Sequence, residues 1–94
     1  MYQALVCCQA GMGSSMLLKI RADHVIQEYN MPIKTMHGTM NSLIEFDGDL
    51  VITMQGLKDQ LMDKVPYVIG IRSVIDQEEM KRKLEAYLKW KENQ

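Results

Sequence analysis

Four apolar runs of strand length are separated by stretches that switch to helical period, and this alternation constrains the chain more than any other feature. The first run, "YQALVCC", reads as a buried strand that ends in a glycine-bearing loop. From Ser14 onward Leu18, Ala22, Val25 and Tyr29 recur at helical spacing, with Lys19, Asp23, Gln27 and Asn30 on the opposite side, so a helix is predicted to run to about Asn30. "MPIKTMHGT" is a second strand opened by Pro32, a residue that fits the start or edge of a strand because it lacks a ladder donor. A short, weakly helical piece is expected around Asn41 to Phe46. "FDGD" is a turn before the third strand, "LVITM", Leu50 to Met54. "QGLKDQLMDKV" then forms a short helix, and Pro66 opens the fourth strand, "YVIGI". The last helix has the clearest start: Asp76 followed by Glu79 resembles a capping box, Glu78 adds charge to the first turn, and Lys89 and Lys91 suit the negative end of the dipole. Met80, Leu84, Tyr87 and Leu88 form its buried stripe.

Strands apolar on both faces and alternating with helices imply a parallel sheet covered on both sides, joined by right-handed crossovers. The expected class is α/β: a small open four-stranded parallel sheet with helices on both faces, a Rossmann-like or phosphatase-like three-layer sandwich. At 94 residues, 1–94 is read as a single domain with a modest core and no place for a large bound cofactor, so none is expected. A formal net charge of −1 gives no electrostatic support for nucleic acid or an anionic membrane as partner. No apolar run approaches the roughly 20 residues of a membrane span, and "MYQALVCC" lacks a basic region followed by a long apolar stretch. The chain is therefore expected to be cytoplasmic and not itself membrane-spanning.

Cys7 and Cys8 are adjacent, which makes a disulfide between them strained, because neighbouring strand side chains face opposite ways. They are read as reduced thiols. With His24 and His37 they form no ligand spacing for zinc, so no metal is expected.

"CQAGMGSS" lies where open α/β sheets place their working sites, beyond the carboxyl end of a strand and ahead of a helix. Gly11 and Gly13 allow successive N–H groups to turn inward, and the following helix adds unpaired donors and a positive dipole end. Backbone donors from Gln9, Ala10, Gly11, Met12, Gly13, Ser14 and Ser15 make an anion cradle. Ser14 and Ser15 supply hydroxyls or cap the helix. A thiol at Cys8, the first residue of the loop, is held over donors that favour the thiolate and hence nucleophilic attack.

Missing residues separate the phosphate-loop alternatives. A Walker loop needs a lysine before its Ser/Thr, and none occurs until Lys19. A dinucleotide fingerprint requires Gly or Ala where Met16 stands. A cysteine phosphatase places arginine six residues after its cysteine, where this chain has Ser14. The cradle is present without the clamp. A phosphatase or arsenate-reductase-like enzyme and a non-catalytic anion-sensing module remain as alternatives.

"CQAGMGSSMLLK" after a short strand resembles the active loop of enzyme IIB components of the sugar phosphotransferase system, most closely the ascorbate branch and next the galactitol branch. "VPYVIGIRSVIDQEEMKRKLEAYL" resembles the last strand, turn and closing helix of the same proteins. The resemblance implies a phosphotransferase acting as a relay. A phosphohistidine on enzyme IIA would donate to Cys8, and phospho-Cys8 would pass the group to a sugar entering through membrane enzyme IIC. Backbone donors alone would hold the phosphoryl group loosely enough to give it up.

Other residues have plainer readings. Cys7 is a small buried hydrophobe. His24 is solvated on the first helix, and His37 and Arg72 are surface residues near the carboxyl edge that could border the site. Met12 and Met16 offer adaptable apolar contact beside the loop. Trp90 packs at an edge.

Overall fold

The computed structural model describes residues 2–7, 12–38 and 46–94, and describes residues 12–15 by backbone only. Strand β1 (Tyr2–Val6) leads to helix α1 (Met12–Glu28) and strand β2 (Ile33–His37), followed by β3 (Leu50–Met54), α2 (Gln55–Leu61), β4 (Tyr67–Ile71) and α3 (Gln77–Glu92). All strand pairs are parallel, in the order β2-β1-β3-β4. The α/β class and the open four-stranded parallel sheet expected from sequence are therefore present. The weak helix expected at Asn41–Phe46 falls largely outside the described residues; Phe46 itself is non-helical and half-buried.

Each face of the sheet has its own apolar cluster. On one, Ala4, Val6, Leu50, Ile52, Ile69 and Ile71 meet Leu18, Ala22, Val25 and Ile26 of α1 and Met80, Leu84 and Tyr87 of α3. On the other, Leu5, Cys7, Val51 and Val68 pack with Leu61 of α2, with Val65 and with Phe46. Two helices on one face and one on the other give the three layers. β2 departs from the expectation of strands apolar on both faces: Ile33 and Thr35 are buried while Lys34 and Met36 are exposed, the alternation of an edge strand covered on one side.

The end of α1 corrects one assignment. Tyr29, placed by periodicity in the buried stripe, is 42% exposed and Ile26 is buried instead. Asn30 adopts a positive φ of 52°, and the Met31 N–H donates to the Ile26 carbonyl at 2.9 Å, a Schellman-type closure that stops the helix at Glu28. Ile26 and Met31 both join the core across that closure. Tyr29 lies in the turn, with the Lys81 ammonium 4.6 Å from its ring centre.

At the amino edge of the sheet the Tyr87 hydroxyl donates to Asp49 at 2.7 Å and Lys91 bonds the other carboxylate oxygen, tying α3 to the entry of β3. Tyr67 and Trp90 stack around Tyr87, which gives Trp90 the edge packing expected of it. This leaves the opposite, carboxyl edge for the site.

Candidate functional site

The chain runs from β1 through α1 to β2 on one side, while β3 lies against the other side of β1. β1 thus borders the point where the strand order reverses, the position at which open α/β sheets bind ligands. Just beyond it the Cys7 N–H donates to the Ile52 carbonyl at 3.1 Å, carrying the β1–β3 contact one residue past the strand. Cys7 is fully buried on the α2 face, in agreement with its reading as core.

Cys8, Gln9, Ala10 and Gly11 lie outside the described residues. Met12, Gly13, Ser14 and Ser15 form the first turn of α1, so the helix begins two residues earlier than its apolar period suggests. Ser14 stands at the third helical position and is not the capping residue. The first turn of an α-helix presents backbone N–H groups that have no acceptor within the helix. That turn also contains no acidic residue, whereas α3 has Glu78 and Glu79 in its first turn and is capped by Asp76, whose side chain accepts from the Glu79 N–H at 3.1 Å. Of these two helix starts, only the one after Cys8 is free of carboxylates in its own first turn.

The other side of the carboxyl edge is built by the turn between β4 and α3. There Glu79 does not close a capping box on Asp76. Its carboxylate, 4% exposed, accepts from the backbone N–H of Arg72 at 2.9 Å and of Ser73 at 3.1 Å, and from the Lys83 ammonium at 2.8 Å. Burial alone would raise its pKa, but these donors outweigh it and hold the group at about 2. Lys83 also bonds the Gly70 carbonyl. A Cβ at Gly70 would stand 2.6 Å from the side-chain oxygen of exposed Gln55 and 3.1 Å from its Cα, so a larger residue there would displace the Gln55 side chain. The Arg72 side chain is exposed at this edge, and His37 ends β2 half-buried.

The structure adds two features that sequence reasoning missed. Met16, Leu17 and Ile20 are 42%, 38% and 57% exposed, an outward apolar strip on the early turns of α1. Only Met16 was singled out in advance, because exposure depends on which face the sheet leaves uncovered. Thr53 near the end of β3 is fully buried, and its hydroxyl has no hydrogen-bond partner among the described residues. His24 sits on the exposed side of α1 with Nε2 3.6 Å from a Glu28 oxygen.

Among the described residues, no His, Cys, Asp or Glu group is placed to hold a metal ion, and no helix is long and apolar enough to cross a membrane. A family model described as the lactose/cellobiose-specific IIB subunit of the PTS system matches residues 3–86. In a comparison with individual curated proteins, no match was found.

Proposed function

We propose, on the premise that this chain belongs to the lactose/cellobiose-specific IIB family of the sugar phosphotransferase system, that Cys8 is the residue on which it carries its phosphoryl group. Membership makes the chain a phosphoryl carrier with a phosphotransferase-type role in sugar transport, working with IIA and IIC components. The reading of Cys8 is supported by one observation above all. α1 starts four residues after Cys8, at the switch point of the sheet, with no acidic residue in its first turn.

The step is a displacement at phosphorus. The Cys8 sulfur attacks the phosphoryl group on the IIA histidine, the S–P bond forms as the N–P bond breaks, and the thiol proton ends on the imidazole nitrogen released. Backbone N–H groups at residues 9 to 15 spread the charge of the three oxygens without a bidentate arginine, which keeps the group transferable. In the second step a sugar hydroxyl oxygen attacks the same phosphorus and the sulfur leaves as thiolate, with the hydroxyl proton returning to it. Ser14, at the position where a cysteine phosphatase has arginine, favours this relay over hydrolysis.

The loop "CQAGMGSS" supports an ascorbate-type sugar, with galactitol as runner-up, within the coarser lactose/cellobiose family description. We place the carrier on the cytoplasmic side, where IIA and the inner face of IIC meet it. Incubation with phosphoenolpyruvate, the upstream carriers and IIA, followed by mass-spectrometric localisation, should find one phosphate, on Cys8. Phosphate on His37 or on no residue would refute the assignment. Transfer onward to ascorbate, galactitol, lactose and cellobiose in vesicles bearing the cognate IIC assigns the sugar.

A further inference from the structure

Resting on the reading of this chain as a carrier that receives from IIA, we propose that the apolar strip on α1 is the surface on which IIA docks, and that Arg21 beside it selects a partner whose apolar patch is rimmed by carboxylates. Met16 and Ile20 stand four residues apart, as do Leu17 and Arg21, so the four side chains share one helix face. Ile20 is the most open of the three apolar ones at 57% exposed, while Leu18 and Ala22 on the opposite side of the same turns are fully buried. The strip is therefore the outward face of a helix seated firmly on the sheet. Single exposed apolar residues are ordinary, but three adjoining ones on one face mark a surface that a partner covers.

The place of the strip in the fold comes next. α1 follows β1 and ends ahead of Ile33, which stands opposite Tyr2 at the start of β1. The helix thus runs from the carboxyl edge of the sheet back to its amino edge, and Ile20 lies only about 12 Å along the axis from Met12, the first helical residue. The strip occupies the half of α1 nearer the carboxyl edge. Of the two proteins with which the family works, IIA brings the phosphoryl group on one of its own side chains. Its surface around that side chain must lie against this edge during transfer, whereas the later acceptor is a small sugar.

Charge decides between a second copy of the chain and a different protein. The carboxylates of α1 are already engaged. Asp23 accepts from Lys19 at 2.8 Å and from the Thr35 hydroxyl, and Glu28 accepts from Gln77 at 2.8 Å with His24 3.6 Å away. Arg21 has no ion pair among the described residues. A second copy would bring another unpaired arginine to the strip and no free carboxylate from its own α1, so the uncompensated positive charge calls for acidic groups on a different protein. Three apolar side chains make a small contact, which suits a partner that must leave after each transfer, and Met16 adapts its shape to the surface it meets.

The test titrates unphosphorylated IIA of the same system into the full chain by isothermal calorimetry, for the wild type, Ile20→Glu, Arg21→Glu and Lys89→Glu, with a melting curve for each. Lys89 is exposed in the last turn of α3, so its variant carries the same change of charge sign away from the strip. Ile20→Glu and Arg21→Glu should each weaken IIA binding by at least about tenfold, and Lys89→Glu should bind like the wild type. Added salt should weaken the wild type more than Arg21→Glu. In transfer from phosphorylated IIA, the loss should appear as a raised KM with the maximal rate nearly unchanged. Wild-type affinity in folded Ile20→Glu overturns the proposal, as does an equal loss in Lys89→Glu, and so does intact IIA binding with transfer to sugar through IIC impaired instead. Because the calorimetry uses unphosphorylated IIA, it stands apart from the site assignment. A wild type that binds IIA through the strip but takes no phosphate on Cys8 overturns that assignment and upholds the docking surface.

Discussion

The Glu79 carboxylate oxygen lies 2.9 Å from the Arg72 backbone nitrogen, across the turn that joins β4 to α3. A second oxygen takes the Ser73 N–H, and Lys83 completes the set, so the carboxylate is more strongly solvated by the protein than its burial would suggest. Its folded pKa of about 2 is below that of an unfolded glutamate, so the group stabilises the fold above the unfolded value and loses that contribution as pH falls through the folded one. The window is about pH 4.3, the ordinary glutamate value, down to about 2. Denaturant unfolding from pH 6 to 2 should show wild-type stability falling across it, and Glu79→Gln should be less stable at pH 6 by about 1–3 kcal/mol with a flatter acid limb. Identical pH profiles for the two proteins would refute the role assigned to this carboxylate.

Thr53 gives the opposite expectation. Its hydroxyl is buried without a partner among the described residues, and an orphaned hydroxyl costs on the order of 1–3 kcal/mol, while valine has nearly its shape. Thr53→Val should raise the denaturation midpoint at an unchanged m-value. A lower midpoint would show that the hydroxyl is satisfied in solution, for instance by water.

At the far edge of the sheet, Tyr87→Phe removes the 2.7 Å bond to Asp49 but keeps the ring among Tyr2, Tyr67 and Trp90. Burial together with the neighbouring Asp49 carboxylate pushes the Tyr87 phenol above the ordinary tyrosine range. The variant should lose about 1 kcal/mol or slightly more, because Lys91 still satisfies Asp49. In an ultraviolet pH titration Tyr87 should ionise after Tyr67, whose phenol burial also raises. Loss of an early-titrating tyrosine in Tyr87→Phe would contradict the buried position.

The sheet and its helices were legible where chemistry punctuates the chain. β3 and β4 have the bounds expected because β-branched runs follow an Asp-Gly turn and Pro66, and α3 begins at its Asp76 cap. Legibility failed where two signals shared residues. Gly11 and Gly13 look like loop, yet α1 starts at Met12 and includes Gly13 in its first turn. The apolar period runs on to Tyr29, but the left-handed Asn30 ends the helix sooner. Asp76 and Glu79 have capping-box spacing, which says nothing about where the Glu79 carboxylate goes; the close passage of the β4–α3 turn decides that.

The two adjacent cysteines are expected to separate cleanly in function. Cys7 is fully buried against Leu5, Val51 and Leu61, and serine there puts a hydroxyl into an apolar cluster at a cost of about 1–3 kcal/mol. Cys7→Ser should therefore melt lower and, assayed well below that temperature, still accept phosphate at close to the wild-type rate. Cys8→Ser should keep the fold and lose transfer, because an alcohol is far less anionic than a thiol at neutral pH and the loop has no base to activate it. Phosphoryl transfer from IIA, measured beside a melting curve for each variant, separates the two effects. An active Cys8→Ser, or a folded Cys7→Ser that cannot accept phosphate, would reverse the assignment.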